Sequence, residues 1–224
     1  MAELEKMSSK SKNSFTEITY EGIYGPYTIT RTDQIEVQRY RLAVLLCGIS
    51  FCLGLSQWIL IGPTWAWLWL LLMSIGLGLA LRWIHIYIGV LHKTLQILWG
   101  LGCIGLIVLL FSVGASQIMS SLAIRPQWTL VIGPIFAALT GLGFKEFFCF
   151  RRPEAIGVTL IVPLALLGHL SQILNGSIVM TLLSLSAILL LIMSLRKFGM
   201  EVGADVGDKS VFGYLNNQEA ANTL

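Results

Sequence analysis

Glu146 is the residue of this sequence whose position most needs a chemical reason. It stands in Gly143-Phe144-Lys145-Glu146-Phe147-Phe148-Cys149-Phe150-Arg151-Arg152-Pro153-Glu154, where Lys145 and Glu146 interrupt an otherwise apolar run. A lysine can carry its charge to the interface on its long stem. A glutamate is shorter, and an ionisable group at that depth is costly enough that it normally faces a bundle interior or a watery cavity. Two chemistries suit it: coupling an ion or proton to transport, or taking part in a buried charge cluster. Arg82, His85 and Lys93 are its expected partners, because they are predicted at the same depth on the neighbouring hairpin. The plainer account is an ion pair that fixes one helix against its neighbours.

The second polar constellation is Arg82-Trp83-Ile84-His85-Ile86-Tyr87-Ile88-Gly89-Val90-Leu91-His92-Lys93. Arg82, His85, His92 and Lys93 share one face at helical spacing, with apolar residues around the rest. This predicts a helix lying in the membrane interface or an extension of the preceding span. Such a face would dock a partner or anionic lipid, and its plainer reading is a snorkelling turn. His85 and His92 lie seven residues apart, about 10.5 Å along a helix, so they cannot share one metal ion with bonds of about 2.1 Å. No metal site and no cofactor are expected. Ligation of a pigment or haem by a single histidine is the alternative left open. His169 is expected to be a hydrogen-bonded core histidine.

Catalytic signatures such as HExxH, GxSxG, a phosphate-binding loop, GxGxxG after a strand and paired DxxD acids are missing. Cys47, Cys52, Cys103 and Cys149 have no CxxC spacing, and each sits in or beside an apolar run. They read as small buried residues rather than disulfides or ligands.

The elements that must position these residues follow from composition. Of 224 residues, 55% are hydrophobic and 12% charged, against about 25% charged in soluble domains. The mean hydropathy is +0.77. A spanning helix takes roughly 20 apolar residues, and six runs qualify, near 42–61, 65–84, 94–113, 128–148, 155–174 and 177–195. The prediction is an all-α polytopic membrane helix bundle of about six transmembrane helices. All but one of the 15 Lys and Arg (the exception is Arg125), and all 12 Asp and Glu, fall in the two tails and the even-numbered connections. By the positive-inside rule both termini face the cytoplasm, an N-in, C-in topology. Trp58, Trp65, Trp67, Trp69 and Trp128 gather at the opposite interface as an aromatic belt. Gly133, Ala137 and Gly141 recur every four residues and predict a stripe for close helix packing that continues to Lys145. Pro134 and Pro163 fall inside predicted helices. The first 36 residues carry no apolar h-region and no cleavage site, so no cleaved signal peptide is expected.

Three parts are therefore expected. Residues 1–33 form a cytoplasmic arm, in which β-branched and aromatic residues around a Gly/Pro turn predict a short hairpin over 15–30. Residues 34–198 form the transmembrane domain, entered through Asp33 and Glu36 spaced as a capping box. Residues 199–224 form a mobile tail, as do 1–14. The net charge of +3 is too small to argue for nucleic acid. The expected partners are membrane lipid and a membrane protein, and a homo-oligomer is compatible with the sequence.

Arg39-Tyr40-Arg41 entering the first run, Ile84-His85-Ile86-Tyr87, and Phe144-Lys145-Glu146 through Cys149-Phe150 and Glu154 together resemble an uncharacterised family of integral membrane proteins of cyanobacteria and related photosynthetic lineages. The resemblance covers most of residues 20–200 and brings no catalytic residue. It implies a photosynthetic cell, with the thylakoid or the plasma/inner membrane as the location, and a part in building or maintaining photosynthetic complexes. The leading expectation is a non-enzymatic membrane scaffold or assembly factor. The competing one is a small transporter or channel with Glu146 as its coupling carboxylate, and a lipid- or pigment-modifying enzyme is a third.

Overall fold

A computed structural model describes residues 18–86, 88–211 and 214 of the chain. They fall into two compact units, one from residues within 1–38 and 201–224, the other from residues 39–200. The elements in chain order are β1 (Ile18–Gly22), β2 (Gly25–Ile29), α1 (Arg31–Leu60), α2 (Ala66–Trp83), α3 (Gly89–Val113), α4 (Ile118–Ile124), α5 (Thr129–Phe150), α6 (Pro153–Leu170), α7 (Gly176–Arg196) and α8 (Val202–Val206). Six of these helices are long and apolar enough to cross a membrane, all except α4 and α8. The protein is thus a polytopic all-α bundle, with one small hairpin among the described residues.

In the larger unit α3 packs on α5, α5 on α6, and α6 on α7. The apolar surface is periodic. Ile97, Ile104 and Phe111 of α3 are exposed at seven-residue spacing, while Leu95, Leu106 and Leu109 are buried. One helix face meets hydrocarbon and the other meets protein, and both are apolar because lipid is as apolar as a core. That is why amphipathicity does not reveal the inward faces.

The glycines that allow the closest approach sit on α3, not on the stripe predicted in α5. A methyl group on Gly105 would overlap the Val131 carbonyl, and one on Gly102 would lie 2.5 Å from the Ile135 backbone nitrogen. Of the predicted stripe, Gly141 meets Leu95 of α3, Gly133 has nothing within 4 Å of its face, and Ala137 is exposed. The correction has a simple cause. A small residue permits close packing only where its own face is the contact face, and four-residue spacing does not say which face that is.

The 82–93 segment also departs from expectation. α2 ends at Trp83 and Ile84 is extended, with φ −70° and ψ 132°. Residues 84–86 and 88 are not helical, and α3 begins at Gly89. The expected continuous helix is broken: Arg82 and Trp83 close α2, Ile84 and Ile88 are extended, and His92 and Lys93 already belong to α3. His92, in the first turn of α3, donates from Nε2 to the Leu81 carbonyl at 2.6 Å and closes the link. Tyr87 lies outside the described residues.

The smaller unit is built around the hairpin. β1 pairs antiparallel with β2, Ile18 opposite Ile29 and Tyr20 opposite Tyr27, with Gly25 at a φ of 123° in the turn. Tyr20 and Tyr27 stack at 5.7 Å. Two strands alone are marginal in water, and the other contributions come from the far end of the chain. Ile29, Val37 and Val206 form its buried centre. The Ile23 amide donates to Asp208 at 2.7 Å and the Tyr24 amide to the Ser210 hydroxyl at 3.0 Å. The Ser210 hydroxyl and the Ile23 amide hold the Asp208 carboxyl below the usual carboxylate range. Lys209 pairs with Asp33 at 2.6 Å. So residues 202–210, expected as part of a mobile tail, form a short helix and a bonded strap on the hairpin. The expected mobile stretch 1–14 and residues 215–224 lie outside the described residues.

The helix entry shifts as well. Asp33 is not the first residue of a capping box but the third residue inside one. Its carboxylate accepts from the Thr30 amide at 2.7 Å, and its own amide donates to the Thr30 hydroxyl at 3.3 Å. The reciprocal pair that satisfies the free amides at a helix start is therefore Thr30 with Asp33. This moves the start of α1 to Arg31.

Candidate functional site: a closed charge cluster around Glu146

The turn of α5 decides which way Glu146 points. Ile135, Leu139 and Leu142 are buried along one stripe, and Glu146 continues it at the next helical step. Phe144 and Phe148 lie on the opposite face, exposed and stacked on each other at 6.1 Å. Glu146 is 0% exposed. It is among the most enclosed side chains of the bundle, and its surroundings are chemically specific.

Tyr40 of α1 donates its phenolic hydroxyl to Oε1 of Glu146. Lys145 Nζ lies 3.2 Å from the same oxygen. Lys197, just past the end of α7, lies 2.7 Å from Oε2. Both ammonium groups also lie over aromatic faces. Lys145 is 5.4 Å from the Tyr40 ring and 5.2 Å from Phe150, and Lys197 is 5.0 Å and 4.8 Å from the same two rings. Tyr40 thus supplies a hydrogen bond from its edge and a π face to two cations. A desolvated cation over such a face gains appreciable attraction. Removing a carboxylate and two ammonium groups from water is expensive, and only close pairing with full hydrogen bonding offsets it.

A second acid of the same corner meets the same helix end. α5 stops at Arg151, whose φ of 50° is the left-handed conformation that ends helices. Pro153 opens α6, where its missing N–H costs nothing. The tight corner places Glu154 in the first turn of α6, 5% exposed. Arg196 reaches it at 2.9 Å and Arg152 at 3.6 Å. The adjacent pair Arg196-Lys197 is therefore split between two carboxylates eight residues apart, each on its own side of the α5–α6 corner. One corner and one helix end are fastened at two points, and α1 joins through Tyr40.

Of the residues the sequence singles out, the structure brings together Lys145, Glu146, Arg152 and Glu154. Arg82, Lys93 and Arg151 are exposed, and His85 and His92 are half-buried in and beside the α2–α3 link. The expected partnership of Glu146 with Arg82, His85 and Lys93 is replaced by Tyr40 and Lys197. Neither was singled out as a partner. Tyr40 stood only in a resemblance motif, and Lys197 counted only as a topology charge. The available signal was the adjacency of Arg196 and Lys197 at the end of the last apolar run, at the same depth as Glu146. Arg39 lies 5.6 Å over the Trp83 ring and so also joins α1 to α2. His169 donates to the Leu122 carbonyl at 2.9 Å, as a core histidine does. The expectation of four small buried cysteines holds for Cys47 alone, since Cys52 and Cys103 are half-buried and Cys149, on the outer face of α5, is exposed.

Six apolar helices, an apolar outer surface and, among the described residues of the larger unit, buried charge gathered at one end define an integral membrane protein of the polytopic helical class. The chain belongs to the family described as uncharacterized integral membrane protein (DUF2301), whose profile matches residues 79–214. Two of the three resemblance stretches lie in that range, and Arg39-Tyr40-Arg41 precedes it. An uncharacterized protein of Haemophilus influenzae is 36% identical over 84 residues, which is 37% of this chain and 48% of the relative. The chain thus matches about half the length of that relative. No solved structure matches.

Proposed function

We propose that the protein is a non-enzymatic membrane scaffold that docks a membrane-protein partner through the basic rim of its charged end. The observation that carries this reading is the closure of the Glu146 cluster. Each carboxylate oxygen is occupied by a lysine, one of them also by Tyr40, and two aromatic rings cover the cations. Two cavities of the bundle, of about 270 and 170 Å³, have no Glu146 in their walls. A coupling carboxylate in a transporter needs a path for its ion or proton, and this one is arranged as a fastening. The exposed cations Arg82, Lys93 and Arg151 stand at the close of α2, the start of α3 and the close of α5. Fixed cations of one sign on a rigid frame suit an acidic partner surface and steer its approach.

On this reading the rim and both termini face the cytoplasm, as the distribution of Lys and Arg argues. The finer proposal, drawn from the resemblance, is that the partner is a photosynthetic complex and the membrane a thylakoid. The test is purification of the tagged chain from native membranes in mild detergent. A stoichiometric partner should be retained by wild type and lost from the triple substitution Arg82→Ala, Lys93→Ala, Arg151→Ala, with the thermal midpoint unchanged. Which membrane fraction yields the complex decides the setting. Recovery of wild type as a clean homo-oligomer, or equal retention by the triple variant, refutes the docking surface.

A further inference from the structure

The end of the bundle away from Glu146 holds a cavity of about 270 Å³. Its wall extends from Trp58 to Phe51 on α1, from Ala66 to Met73 on α2 and from Thr129 to Phe136 on α5. Each of these steps is about 10.5 Å along a helix, so the cavity is a slot that runs with the helices. Ala123 and Gly176, both exposed, border its outer end. Trp58 sets that end at the depth of the aromatic belt, where lipid headgroups begin.

The polarity of the wall changes along the slot. At the outer end stand Thr129, 6% exposed and with no hydrogen-bond partner for its hydroxyl among the described residues, and His169, whose Nε2 is bonded to the Leu122 carbonyl. At the inner end stand Phe51, Met73 and Phe136, and the one hydroxyl of the wall at that depth, on Ser50, is closed off from the slot. Water can be held on Thr129 and His169. Further in, a water would lack the two to four polar partners it needs. A polar end at the interface and an apolar slot beneath it match a lipid, with its head at the surface and a chain in the bundle.

The sign of the head follows from Arg125. It is the one Lys or Arg in the three connections at this end of the bundle. It is exposed, has no ion pair among the described residues, and stands between the wall residues Ala123 and Thr129. A cation on the side that basic residues avoid, beside a slot of this profile, suits an anionic headgroup. The chain adds little preference of its own, because it leaves surroundings as apolar as the slot. The head therefore decides which lipid is held.

We propose that this cavity is a binding site for an anionic membrane lipid, with one acyl chain in the slot and the headgroup paired with Arg125 and Thr129. The site is independent of the docking rim and goes beyond the scaffold reading. It is tested on the purified full chain in nanodiscs of phosphatidylcholine. The probe is phosphatidylglycerol with a photoactivatable diazirine midway along one chain, compared with phosphatidylcholine carrying the same chains. Wild type should be labelled saturably on the peptides that hold Met73 and Phe136. Half-saturation should come at about fivefold lower content of the phosphatidylglycerol probe, the worth of one basic residue at a membrane surface. Arg125→Gln, at an exposed position, should bring the two probes to equal labelling while both still reach Met73 and Phe136. Labels confined to the outer face, at Ile104 and Phe111 of α3, mean a slot without a chain and overturn the proposal. Equal labelling of wild type by the two probes overturns it as well, as does a phosphatidylglycerol preference that survives Arg125→Gln.

Discussion

Replacing Glu146 by glutamine removes one charge and almost no volume, so its cost isolates the electrostatics of the cluster. The glutamine oxygen can still accept from Tyr40. Lys197, whose side chain is 1% exposed, and Lys145, at 6%, then lose their counter-charge with no route to water. Breaking a buried pair by removing one partner costs roughly 3–5 kcal/mol. For a chain of this size that lowers the thermal midpoint on the order of 6–20 °C. The measurement is unfolding in detergent followed by circular dichroism, with a cycle through Lys197→Met. If the penalty is the stranded ammonium, Glu146→Gln with Lys197→Met should recover a large part of the single-variant loss, since replacing both partners by uncharged groups of similar volume is often close to neutral. A single-variant cost below about 1 kcal/mol would mean the lysines are solvated or neutral in the protein. A double variant no more stable than the single would place the loss in packing rather than charge. Either result refutes the fastening.

Two further outcomes follow from the geometry. Gly105→Ala sets a methyl group against the Val131 carbonyl, so it should destabilise the α3–α5 contact by about 1–3 kcal/mol, while Gly133→Ala, with open space around it, should change the thermal midpoint little. The Asp208 carboxyl is held low by Ser210 and Ile23, so its contribution to the hairpin unit is present in full above the ordinary aspartate range. That contribution is lost as pH falls through its lower folded value. Protection of the Ile23 amide, taken relative to its intrinsic exchange rate at each pH, should fall on acidification in wild type, and should be low and unchanging over the same range in Asp208→Asn.

Much of the bundle was legible because its cause is one-dimensional. Length and hydropathy of a run decide whether it can span hydrocarbon, since every backbone group must be satisfied inside the helix. The six spans were therefore readable from composition. Boundaries set by a specific bond were not, and Thr30 displaced Asp33 as the cap because a box needs both members of the pair. The 82–93 segment misled for a related reason. Spacing gives a face only if the backbone is helical, and the described residues of the link that the His92 bond to Leu81 closes are not.

Glu146 shows the division most clearly. The sequence by itself determined that a carboxylate in an apolar run must be enclosed and paired, because desolvating a lone charge is prohibitive. It also set the depth of that carboxylate and the end of the bundle where charge collects. Only the tertiary structure decided the partners. A pairing with Arg82 or Lys93 and a pairing with Lys197 have the same depth and the same sign. What separates them is which helices lie side by side. That order comes from packing between faces that are all apolar, and no local pattern in the chain encodes it.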